Sequence, residues 1–154
     1  MAVHFLDSSA LVKRYISEIG SAWILELFNP VFNNEVFVAA ISGVEIVAAV
    51  TRRARGGSIS ATDAKAVCSQ VKSDLQTEYQ IIEIADSIID AGMKFAETHG
   101  LRGYDAIQLA AGCAVNELCI ANNLPSIIFV SADKELNVAA LSEGLVVENP
   151  NDRP

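Results

Sequence analysis

The sequence predicts an α/β domain on a parallel sheet, and three observations carry that expectation. Short runs rich in Val, Ile and Phe alternate with longer segments of helical period. A helix-length segment separates each run from the next, as parallel pairing requires. The chain has 154 residues, 51% of them hydrophobic and 19% charged, which suits one globular domain and argues against disorder. We expect three layers, with about five strands flanked by helices, over residues 1–148, and a frayed tail over 149–154.

Val3–Leu6 is an apolar run ending at Asp7, the form of a buried parallel strand. Helices are expected over 9–16 and 20–28, the second stopped by Asn29-Pro30. A second strand is expected over 36–39. Ile41–Arg55 has helical period and ends at Gly56-Gly57. Ser60-Ala61-Thr62-Asp63 has the form of a capping box and opens a helix over Ala61–Thr77. A third strand follows over 79–84, then a helix over 86–98 with Ile88, Ala91 and Phe95 on one face, closed by His99-Gly100. The helix from 104 to 116 or beyond is apolar enough to be buried. A strand over 127–130 runs into Ser131-Ala132-Asp133. A helix over 134–141 and a last strand over 145–147 complete the pattern.

The formal net charge is −8 and the pI about 4.6, poor footing for a protein that coats nucleic acid through a basic field. Cys68, Cys113 and Cys119 match neither a zinc site nor a disulfide framework and are expected as reduced core residues. The N-terminus has no apolar leader, and the longest apolar stretch is interrupted by Glu45, so a soluble cytoplasmic protein is expected.

In open α/β sheets, ligands bind beyond the carboxyl ends of the strands, where strand order reverses. Asp7 follows the first strand and Asp133 lies three residues past the fourth, so both face one crevice if those strands are neighbours. Glu45 stands among Val44, Ile46, Val47 and Ala48, where a glutamate needs a partner. Each acid also has a local explanation. Glu45 could pair with Arg52 or Arg53, Asp7 and Asp133 could cap helices, and Asp105 could sit in a first turn against the helix dipole. If the four converge, repulsions of roughly 4 kcal/mol per close pair at an effective dielectric near 20 demand a proton or a cation. Oxygen-only donors favour Mg²⁺ or Mn²⁺.

LDSSALVKRY, ISGVEIVAAVTRR, LRGYDAIQLAA and FVSADKELNVAA together resemble the four acidic motifs of PIN-domain nucleases, most closely the VapC-type toxins of bacterial toxin–antitoxin pairs. The resemblance runs from about Val3 to Val147. It implies a PIN-like fold and Mg²⁺- or Mn²⁺-dependent endoribonuclease activity. The acids carry over onto Asp7, Glu45, Asp105 and Asp133, with Asp7 and Asp105 as primary metal ligands and Glu45 orienting water or a second ion. Ser9 and Ser131 correspond to the hydroxyls that hold carboxylates in place, and each could equally make a local turn hydrogen bond. The resemblance further implies an antitoxin partner and a homodimer. Metal-assisted in-line attack of water on the scissile phosphate would leave 5′-phosphate and 3′-hydroxyl ends.

Arg102 is the basic residue best placed to contact RNA, with Lys13 and Arg14 behind it. Arg52, Arg53 and Arg55 read more simply as cations at a helix C-terminus. His4 and His99 are expected in structural roles. A haloacid-dehalogenase-type phosphatase needs an aspartate where Ser9 stands. A receiver domain needs an acidic pair where Asp7 stands alone. A PIN-domain RNA-processing nuclease without an antitoxin and a non-catalytic PIN scaffold remain as alternatives.

Overall fold

The sheet has the order β3-β2-β1-β4-β5 and is parallel throughout. The strands are β1 (Val3–Leu6), β2 (Glu35–Ala39), β3 (Gln80–Ile82), β4 (Ile128–Val130) and β5 (Val146–Glu148). Seven α-helices connect them in the computed structural model, which describes residues 1–154. They are α1 (Ser8–Leu11), α2 (Ser21–Leu27), α3 (Ile41–Arg55), α4 (Ala61–Thr77), α5 (Asp86–His99), α6 (Gly103–Ala121) and α7 (Lys134–Ser142). The expected α/β class and sheet of five parallel strands are therefore present. No helix is long and apolar enough to cross a membrane.

The sheet is covered on both faces. Val3, Phe5 and Phe129 pack with α6 and α7 residues such as Leu109, Val115 and Leu136. Leu6, Val36, Val38 and Val130 pack against Ile24, Ile46, Val50 and Val71 on the other side. Alternate residues of one strand thus enter opposite layers, the period-2 geometry of a strand buried on both faces. The Phe5 and Phe129 rings stack at 5.5 Å. Gly112 lets α6 approach them, since a Cβ there would lie 2.8 Å from the Phe129 ring. Cys68, Cys113 and Cys119 are all unpaired.

Most element boundaries fall within two residues of expectation, and the buried helix runs on beyond 116, as expected, to Ala121. Two differences have local causes. The first helix is shorter than 9–16, because the chain tightens into a 3-10 turn at Val12–Arg14. The expected frayed tail is docked: Pro150–Asp152 forms a 3-10 turn, Pro150 is buried, and Arg153 pairs with Glu148 at 3.0 Å. Gly20, at φ 86°, accepts this docking, since any Cβ there would strike the Pro150 carbonyl.

β1 and β4 are hydrogen-bonded neighbours at the point where strand order reverses. The backbone after them stays paired, with Asp7 N donating to the Val130 carbonyl at 3.1 Å. The two strand-end acids are therefore delivered to one crevice, as the switch-point rule requires.

Candidate active site

Asp7 ends β1 and is 2% exposed. Its Oδ1 accepts from Ala10 N at 2.9 Å, which caps α1, and from Ser9 Oγ at 2.7 Å. Its Oδ2 accepts from Ser131 Oγ at 2.7 Å. The two serines are themselves fixed, because Ala132 N donates to Ser9 Oγ and Asp133 N donates to Ser131 Oγ. The loop after β4 is thereby tied to the loop after β1 through one carboxyl group. Burial pushes Asp7 up to about 6, the hydrogen bonds from Ser131, Ser9 and Ala10 oppose the rise, and the nearby Glu45 charge adds to it.

Glu45 projects from α3 toward the same place. Its Oε2 accepts from Ser8 Oγ and its Oε1 from Gln108 Nε2, both at 2.9 Å. Asp105 lies in the first turn of α6, half-buried. Desolvation raises its pKa, and the Asp133 and Glu45 charges raise it further, against the Arg102 guanidinium. Asp133 Oδ1 accepts from Leu136 N at 3.0 Å and caps α7. The helix-capping explanation thus holds for Asp7 and Asp133, and both still face the other acids.

The four expected acids are linked through their charges: Glu45 raises both Asp7 and Asp105, and Asp133 raises Asp105. None of the six ion pairs in the molecule includes any of them. The expected pairing of Glu45 with Arg52 or Arg53 is not formed, and Arg53 pairs with Glu18 instead. The cluster therefore carries negative charge that no basic side chain contacts.

These residues fit a hard divalent cation in donor type and in charge. They do not form a closed cage, since no three Asp, Glu, His or Cys side chains gather tightly enough to enclose an ion. The oxygens of Asp7 are occupied by hydroxyls and a backbone N–H, and Asp133 spends Oδ1 on its helix. An open site of this kind suits Mg²⁺, which commonly uses one or two carboxylates and completes its shell with water and phosphate.

A cleft of about 410 Å³ opens beside the cluster, lined by Ser8, Ser9, Val12, Val44, Glu45, Arg52 and Tyr104 among others. Arg52 stands on the Glu45 face of α3, seven residues on, or about 10 Å along the helix. It has no acidic partner. Tyr104 is 60% exposed.

Two expected RNA contacts are corrected. Lys13 is buried and its Nζ reaches Glu18 at 3.1 Å and the Ile19 carbonyl at 2.8 Å. Arg14 stacks 4.0 Å from the Phe28 ring centroid and donates to Tyr79 Oη at 2.7 Å. It also faces Asp74 and Glu78. Both cations are consumed inside the fold. His4 is buried in β1, where burial lowers its pKa, and His99 pairs with Glu143, so neither joins the acids. Arg102 stays exposed beside Asp105.

The sequence does not single out Ser8, Gln108 or Tyr104, and it presents Arg52 as a helix-end cation or a partner for Glu45 rather than as a cleft residue. Gln108 carried a usable signal: a lone amide in an apolar helix calls for a partner as much as Glu45 does.

No protein-family model and no curated protein matches the chain. Solved structures do match. A toxin–antitoxin complex from Klebsiella pneumoniae superposes with a TM-score of 0.61 at 15% identity, covering 96% of this chain and 97% of that one. VapBC-5 of Mycobacterium tuberculosis, a member of the VapBC family of toxin–antitoxin systems, gives 0.56 at 16% identity, covering 97% and 98%. PAE2754 of Pyrobaculum aerophilum gives 0.60 at 21% identity, covering 96% and 90%. The fold is PIN-like. At these identities the likeness establishes the PIN-like architecture over nearly the whole chain and nothing beyond the fold.

Proposed function

We propose that this chain is a divalent-metal-dependent endoribonuclease and the toxin of a VapBC-type toxin–antitoxin pair. The observation that carries the reading is the cluster of Asp7, Glu45, Asp105 and Asp133, none of them in an ion pair, at the switch point of a PIN-like sheet. Known structures of this fold include a toxin–antitoxin complex and a member of the VapBC family of toxin–antitoxin systems, which supports the pairing.

Asp105 is the most available ligand, since no protein group donates a hydrogen bond to its carboxylate. Asp7, anchored by Ser9 and Ser131, is the second. Bound Mg²⁺ or Mn²⁺ would supply positive charge to the phosphate and acidify water. Glu45 keeps a free lone pair on each oxygen, with which it can help hold the cation or accept a hydrogen bond from the attacking water and orient it toward phosphorus. Asp133 adds negative charge that favours cation entry. Ser9 and Ser131 keep Asp7 from turning away as charge is rearranged.

Arg52 offers a guanidinium to a phosphate adjacent to the scissile one, and Tyr104 offers a ring on which an unpaired base can stack. Arg102 flanks Asp105. This arrangement suits single-stranded RNA and lets an acidic protein bind a polyanion locally. The reading includes a second copy of the chain and a small partner protein that covers the cleft.

The test is cleavage of a 5′-labelled single-stranded RNA by the purified chain with Mn²⁺, with EDTA, and with Glu45→Gln. Cleavage with Mn²⁺ that leaves 5′-phosphate ends and is lost in the other two conditions is expected. EDTA-resistant cleavage, or full activity of Glu45→Gln, would overturn the assignment. A protein encoded in the adjacent reading frame should bind the chain and silence cleavage.

A further inference from the structure

Gln108 lies in the middle of α6 and is 1% exposed, among Leu109, Ala110 and Ala111. A buried amide needs partners for its donors and for its carbonyl. Only the donors have them. Nε2 donates to Ser42 Oγ and to Glu45 Oε1, each at 2.9 Å. Gln108 Oε1 is buried with no partner. An unmet buried acceptor is destabilising, so packing does not account for a glutamine at this position. Methionine or leucine would fill the same volume without it.

What the amide achieves is at Glu45. Ser8 from α1 holds Oε2 and Gln108 from α6 holds Oε1, so donors from two different elements fix both carboxylate oxygens. The orientation of the amide is set by the same contact. Turned over, its carbonyl would face a carboxylate oxygen, and Ser42 would lose its donor.

We infer that Gln108 is a positioning residue, which holds the Glu45 carboxylate at the mouth of the cleft and leaves its own carbonyl unpaired to do so. The inference rests on the reading of Glu45 as a working member of the site. Gln108 touches neither substrate nor cation; it acts through Glu45.

The experiment compares wild type with Gln108→Met and Gln108→Leu by thermal unfolding, Mn²⁺ calorimetry and crystallography. In at least one of these variants Tm should equal or exceed that of wild type. In its crystal structure Glu45 should leave Ser8 or divide between conformers, and Mn²⁺ affinity should fall about 10- to 100-fold. Loss of Tm in both variants with Glu45 unmoved, or unchanged Mn²⁺ affinity with Glu45 unmoved, would show that Gln108 only ties α6 to α3 and would overturn the inference. If wild type neither binds Mn²⁺ nor cuts RNA, the proposed function fails. The position of Glu45 in the variant crystals still decides the role of Gln108.

Discussion

Asp7→Asn should stabilise the fold at neutral pH while destroying the site, and the size of the gain follows from burial. Asp7 is raised from an ordinary 3.8 to about 6 in the folded chain. At about 1.4 kcal/mol per pH unit, keeping it ionised when folded costs about 3 kcal/mol. The sign is that of a raised acid. The stability is fully present below pH 3.8, falls as pH rises, and is lost above about pH 6. Asparagine carries no charge at any pH. It keeps the acceptor for Ala10 N but turns an amide N–H toward hydroxyls that now donate, an offset of about 1 kcal/mol. The net gain at pH 8 is therefore about 2–3 kcal/mol, or roughly 4–10 °C in Tm for a chain of this size. At pH 5 the ionisation penalty is about half as large, so the gap should narrow. Thermal unfolding in EDTA at pH 5 and pH 8 measures it. A variant less stable than wild type at pH 8, or a gap that is the same at both pH values, would refute the reasoning.

Three further substitutions separate the site from its scaffold. Arg14→Ala removes the partner of Tyr79 and Asp74 and should lower stability by roughly 1–3 kcal/mol in urea unfolding. It should leave RNA affinity per folded molecule unchanged. Arg52→Ala should leave Tm unchanged and raise KM for a single-stranded RNA severalfold, with kcat nearly constant, because its contact is made in ground state and transition state alike. Gly112→Ala places a Cβ against the Phe129 ring and should lower stability by about 1–3 kcal/mol, read as a lower midpoint in urea.

The elements were legible wherever their ends carry local chemistry. Gly56-Gly57 closes α3, and Ser60 accepts from Asp63 N at the start of α4, so both helices have the expected bounds. Asp7 was legible because an acid after an apolar strand has few other places to go. Glu45 was legible because its neighbours are apolar. The partners of these acids were not, since sequence shows types and not meetings. Gln108 reaches Glu45 across 63 residues; each stands out as a polar group in an apolar helix, but neither segment says that the two meet. Lys13 and Arg14 look like free surface charge until Glu18, Tyr79 and Asp74 come into contact with them. Arg52 presents the reverse case: a helix-end cation by sequence, it lines the cleft because α3 turns its Glu45 face toward α1. The docking of the tail is illegible for the same reason, as its anchor is Gly20, far away in the sequence.

Calorimetric titration of Mn²⁺ into wild type and Asp105→Asn tests most directly whether these acids form a divalent-cation site. Removing the carboxylate that no protein donor satisfies should abolish or sharply weaken saturable binding seen in wild type. Equal binding by both proteins, or no binding by wild type, would contradict the account.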